Sequence, residues 1–104
     1  MLKIKDNVDL KELEKFGFIK EGGTRQEHYY HHWYVRFKET LFNTYEIRID
    51  VNENREITIG RLKDRDYPYN MKNGFYRNQE RVTEQKKRYV KDLIQAGLVE
   101  KVRE

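Results

Sequence analysis

Apolar and polar residues alternate most strictly between Tyr45 and Val51, where Tyr45, Ile47, Ile49 and Val51 are separated by Glu46, Arg48 and Asp50. A period of two marks a strand with one face buried. Asn52-Glu53-Asn54 then reads as a hairpin loop with Asn54 suited to positive φ, and Arg55–Ile59 returns along the first strand. Setting Ile49 opposite Ile57 and Ile47 opposite Ile59 keeps all four isoleucines on one face. A slip of one residue would turn that row to the other side, so the hydrophobic pattern holds the register.

The same parity sorts the ring-dense segment HYYHHWYVRF, residues 28–37. Trp33, Val35 and Phe37 fall on one face and read as core. Tyr30, His32, Tyr34, Arg36 and Lys38 fall on the other, a ladder of rings and positive charge available to solvent or a partner. Upstream, Val8, Leu10, Leu13 and Phe16 form the apolar stripe of a short helix capped by Asn7 or Asp9 and stopped by Gly17. Phe18 and Ile19 start a short strand that the Gly22-Gly23 turn signal ends.

Near the C-terminus the pattern switches to a helical one. Val82, Tyr89, Val90, Leu93 and Ile94 make one stripe over Asn78–Ala96, with Arg81, Glu84, Lys87, Arg88 and Lys91 largely away from it. Gly97 terminates this helix, and Leu98 packs back on Leu93. Residues 63–77 have no period, and a loop of that length in a small domain is more often functional or mobile than neutral. The expected fold is one α+β domain over residues 1–104. It comprises a short N-terminal helix, a three- to four-stranded antiparallel meander sheet, and a long C-terminal helix packed on one face. If both helices share that face, the other face of the sheet is open.

Composition narrows the chemistry. Apolar residues make up 37% and charged residues 38% of the 104, so the core is small and 14 aromatic rings must supply much of its area. The absence of cysteine removes disulfides, thiolate metal sites and cysteine nucleophiles, and suits a reducing compartment. No apolar stretch is long enough to span a bilayer and the N-terminus lacks a signal-peptide core, so a cytoplasmic location is expected. Serine is absent and Lys, Asn, Ile and Tyr are abundant, the bias of an AT-rich genome, which accounts for part of the tyrosine count without any function. Residues 61–91 carry ten Lys or Arg against four Asp or Glu, whereas residues 21–60 carry five against seven. The basic segment favours acidic partners, whether nucleic acid or protein.

Catalysis finds little support. His28, His31 and His32 invite a metal, but on a strand only His28 and His32 share a face and no acid completes the set, so no metal or cofactor is expected. The five threonines sit in no nucleophile motif, and Gly22-Gly23 lacks the rest of a phosphate loop. Glu46, Arg48 and Asp50 read as a salt-bridged sheet surface. Nucleic-acid binding is better motivated: Tyr30, Tyr34, Arg36 and Lys38 could stack on bases while Arg81, Lys87, Arg88 and Lys91 track phosphates. Yet Glu46 and Asp50 on the adjoining strand would repel a backbone. LIQAGLVEKV is similar to the end of a winged-helix recognition helix but lacks the helix-turn unit before it.

Protein binding remains, and Tyr and Arg are the residues that carry interface energy. The contact residues expected are Tyr30, His32, Tyr34 and Arg36, then Tyr67, Tyr69, Arg81, Arg88 and Lys91. The tyrosines of the 63–77 segment fit equally well as rings laid over the core edge with their hydroxyls in water.

The segments LKIKDNVDLKELEKFGF and VKDLIQAGLVEKV resemble those of small proteins encoded by phages and prophages of low-GC Gram-positive bacteria. The resemblance implies a small accessory protein that occupies a host protein in the infected cell, an inhibitor of a defence system for example. Both segments are structural, a capped helix and a helix stop, so they transfer no functional residues.

Overall fold

The computed structural model describes residues 1–21, 32–40, 44–63 and 79–102. Its centre is a five-stranded antiparallel sheet in the order β2-β3-β4-β5-β6. The strands are β2 (Ile19–Glu21), β3 (His32–Thr40), β4 (Thr44–Val51), β5 (Ile57–Lys63) and β6 (Glu80–Arg81). A second, two-stranded sheet joins β1 (Leu2–Ile4) to β7 (Val99–Lys101), with Leu2 opposite Lys101 and Ile4 opposite Val99. Among the described residues helical structure is slight: 3-10 helices over Leu10–Phe16 and Glu84–Val90, and one α-helix, α1, over Lys91–Gln95.

Among the described residues strand therefore outweighs helix, and the expected long C-terminal helix is not formed. Val82 is fully buried and its N–H bonds the Ile57 carbonyl at 3.1 Å, which carries the pairing of β6 beyond Arg81. Thr83 stays extended (φ −105°, ψ −178°), and its side chain makes no capping bond. From Thr83 to Arg88 no apolar residue anchors the turn that an α-helix would press on the core. The segment instead winds as a 3-10 helix, and Val90 (φ −120°, ψ 26°) separates it from α1. Among the described residues no helix is long and apolar enough to cross a membrane.

Both glycine stops close their helices in the same way. Gly17 (φ 87°) and Gly97 (φ 77°) take the left-handed conformation. Phe18 N–H then bonds Leu13 O at 3.2 Å, and Leu98 N–H bonds Leu93 O at 3.1 Å. Asp9, rather than Asn7, caps the first helix, accepting from Lys11 N–H at 3.0 Å.

The β4–β5 hairpin keeps the expected parity but shifts by two residues: Ile49 faces Ile59, and Val51 faces Ile57. Asn52 causes the shift. Its carboxamide oxygen accepts from Asn54 and Glu56 N–H at 2.9 and 3.0 Å, so the turn occupies residues 53–55. The positive-φ residue is Arg55 (φ 68°), not Asn54. Arg55 also fastens the N-terminal segment to the hairpin. Its Nη1 donates to Lys5 O at 2.9 Å and Val8 O at 2.6 Å, and its carbonyl accepts from Ile4 N–H at 2.9 Å.

One hydrophobic core results. Trp33, Ile47, Ile49, Val51, Ile57 and Ile59 line one face of the sheet, against Leu2, Ile4, Leu13, Phe18, Val82, Val90 and Leu93.

Candidate functional site

The opposite face of the sheet carries the row Tyr34–Asp50–Thr58–Arg81, with Ile19 beside Tyr34, because these residues are directly paired across the five strands. Arg36, Arg48 and Gly60 form the next row, and Lys38, Glu46 and Leu62 the one after. Alternation assigns this face to solvent, but its centre is closed: Glu46, Arg48 and Asp50 are only 7%, 4% and 5% exposed.

Each buried charge is matched. Arg48 grips the Asp50 carboxylate through Nε and Nη2 at 3.1 Å, and the Gln79 carboxamide donates to the same carboxylate. Arg36 Nε donates to Glu46 at 2.7 Å. The Arg48 guanidinium lies 4.3 Å from the centre of the Tyr34 ring. The sheet surface expected here is thus an internal network. Tyr34 is half-buried with one ring face occupied, and the exposed Arg36 is committed to Glu46.

The other expected contact residues scatter. Tyr30, Tyr67 and Tyr69, with His28, His31 and the Gly22-Gly23 turn, lie outside the described residues. His32 opens β3, where its backbone pairs with Glu21. Arg81 lies on β6, paired with Thr58, and so belongs to the face of Tyr34 and Asp50. Arg88 lies across the sheet from it, beside Tyr89 on the core side. The basic residues read as one phosphate-tracking helix face are therefore divided between two faces. Lys87 is paired with Glu84 at 2.6 Å, and Lys86 with Glu80, while Lys91 is exposed at the start of α1.

A different cluster forms at the far end of the core face. Phe37, expected in the core, is 37% exposed. β2 pairs only with residues 32–34 of β3, so from Val35 onward no strand among the described residues flanks β3 on the side away from β4, and Phe37 stands at an edge. The Tyr89 ring lies 6.3 Å from it, tilted by 37°. The Tyr89 hydroxyl gathers three charged neighbours. It accepts from Arg88 Nη2 at 2.8 Å and from Arg61 Nη2 at the long distance of 3.5 Å, and donates to Glu39 at 3.2 Å. The two guanidiniums lie 4.6 and 5.9 Å from the centre of the ring. The Tyr89 hydrogen bond, and secondarily Glu39, hold the Arg88 pKa above its usual range.

Arg36, Phe37, Lys38 and Glu46 line an adjoining depression of about 420 Å³. Among the described residues no three histidine or carboxylate side chains converge as a metal-binding group. Sequence reasoning placed Arg88 near the site but missed Phe37, Tyr89 and Arg61. The available signal was Arg61 on the inward parity of β5, where a charge breaks the Ile57–Ile59 row.

No protein-family model, curated protein or solved structure matches the chain.

Proposed function

We propose that this chain is a non-catalytic accessory protein of the phage type that acts by binding a host protein. The observation that carries the reading is the exposed Phe37 beside the half-buried Tyr89, flanked by Arg61 and Arg88. Rings and guanidiniums offer contact area at low entropic cost and dominate interface energies. Support for the phage context is the resemblance of residues 2–18 and 90–102 to small phage and prophage proteins. Support for choosing the far end of the core face over the Tyr34–Arg36 ladder is that Arg48 lies over the Tyr34 ring and Glu46 holds Arg36.

Affinity capture from a low-GC Gram-positive cell extract tests the reading, comparing the protein with its Phe37→Glu variant. A protein retained by the first, lost by the second and indifferent to nuclease is expected. A nuclease-sensitive capture would favour nucleic acid instead. So would binding to single-stranded DNA or RNA that falls steeply between two salt concentrations, because released counterions drive such complexes.

A further inference from the structure

Five of the six arginines among the described residues fall into two groups. Arg36 and Arg48 are held by the Glu46 and Asp50 carboxylates, and Arg55 by two backbone carbonyls. Arg61 and Arg88 are different. Both are exposed, and among the described residues neither has a carboxylate in salt-bridge contact; what they share is the Tyr89 hydroxyl. Glu39 meets that hydroxyl from its other side, so two cations and one anion converge on one phenol. The cluster keeps a net positive charge, and its guanidiniums are positioned by a ring that is itself wedged against Phe37.

We propose that this patch docks an acidic segment of a partner protein, with one carboxylate bridging Arg61 and Arg88 and a neighbouring apolar side chain covering the exposed Phe37 ring. The proposal rests on the protein-binding reading above and names the chemistry of the partner. The planar guanidinium fork matches a carboxylate in two-point contact. Both Nη2 atoms already converge on one oxygen, the arrangement a single carboxylate can span. A phosphate backbone is the poorer match. Glu39 sits within the patch, on the hydroxyl that both arginines share, so a chain of phosphates would meet a carboxylate beside the two arginines.

Selection of a random dodecapeptide library against the purified protein provides the test. The recovered peptides are expected to carry Asp or Glu beside an aromatic or aliphatic residue. In fluorescence anisotropy the R61E/R88E variant should bind them at least about tenfold more weakly, with its melting temperature near that of the parent. The E39Q variant removes the competing anion and should bind them more tightly. Peptides without acidic residues would overturn the proposal. Acidic peptides that bind R61E/R88E undiminished would overturn this docking surface while leaving a protein partner in place. Recovery of no binding peptide, together with single-stranded RNA binding that R61E/R88E abolishes, would overturn both the proposal and the reading beneath it.

Discussion

The Arg48 guanidinium lies over the Tyr34 ring, 4.3 Å from its centre, on the face of the sheet that strict alternation gives to water. That contact decides what the face can do. A tyrosine meant to stack on a base or a partner must present its ring, and this one is taken on one side by a cation two residues from the buried Asp50. The central strand is consequently buried on both faces, apolar on one and ion-paired on the other. The binding surface proposed above lies instead at the end of the core face, where Phe37 is exposed beside Tyr89.

Removing one member of the buried pair should cost far more than removing both. Arg48→Ala removes the guanidinium that grips the buried Asp50 carboxylate, and is expected to lower stability by about 3 kcal/mol. The double variant R48M/D50L places apolar side chains where the ions were and should recover most of that loss. Chemical denaturation of the three proteins decides it. A cost below about 1 kcal/mol for Arg48→Ala would mean the pair behaves as a surface salt bridge.

Tyr34 and Arg36 should behave as structural residues. Tyr34→Phe keeps the ring over Arg48 and is expected to be nearly neutral, whereas Tyr34→Ala uncovers the guanidinium and should cost about 1–2 kcal/mol. Arg36→Ala leaves the Glu46 carboxylate with 10% of its side chain exposed and no Arg36 partner, a loss of about 1 kcal/mol. Thermal melts read both. Binding of a captured partner by Arg36→Ala should persist at temperatures where the variant stays folded if the docking patch is the one proposed at Arg61 and Arg88.

The strands of the hairpin were legible because their signal is local and repeated: every second residue from Tyr45 to Val51 is apolar, and that parity survives in the structure. Asn52 was the hidden variable. Its side chain bonds two backbone N–H groups and shifts the register by two residues, a change that leaves each side chain on its expected face. The glycine stops were legible for the same local reason. What failed depends on distant partners. Leu2–Ile4 and Val99–Lys101 are each too short to announce a strand, and they exist because the two chain ends pair with each other. The apolar stripe from Val82 to Ile94 fits a helix on paper, but Val82 is claimed by β5 first. The charged row Glu46, Arg48, Asp50 reads as surface in any one-dimensional pattern, since burial of matched ions leaves no mark on hydropathy. Phe37 illustrates the reverse: its parity is right, but the β2 pairing ends before reaching it.

Arg55 holds a left-handed conformation that costs an ordinary side chain about 1 kcal/mol, and three backbone hydrogen bonds to the N-terminal segment offset that strain. Two are made by its side chain and one by its carbonyl. Arg55→Ala keeps the strain and loses both side-chain bonds, with an expected cost of about 2 kcal/mol. Arg55→Gly loses the same bonds but relaxes φ, and should be about 1 kcal/mol more stable than the alanine variant. Equal stabilities in urea would show that the turn is not strained. Hydrogen exchange should localise the damage in both variants to the amides of Lys5 and Val8, the segment whose carbonyls the guanidinium holds.

Glu84 links the second 3-10 helix to the C-terminal strand, and its effect should appear only in acid. The hydrogen bond to Lys87 at 2.6 Å is the main influence holding its carboxyl below the ordinary value of 4.5. Desolvation opposes this, and Lys101 at 3.3 Å adds to the lowering. A carboxyl whose pKa is lower in the folded chain than in the unfolded one favours the fold while it is ionised. Its contribution is complete above the unfolded value and is lost as pH falls through the folded one. Wild type and Glu84→Gln should therefore converge in melting temperature at low pH and separate as pH rises toward neutrality, with wild type the more stable. Because the group is exposed the gap should be small, and about 1 M salt should nearly close it. Melting curves that stay parallel from acid to neutral pH would show that neither lysine acts on Glu84 in solution, and that the 3-10 helix docks on β7 through apolar contact alone.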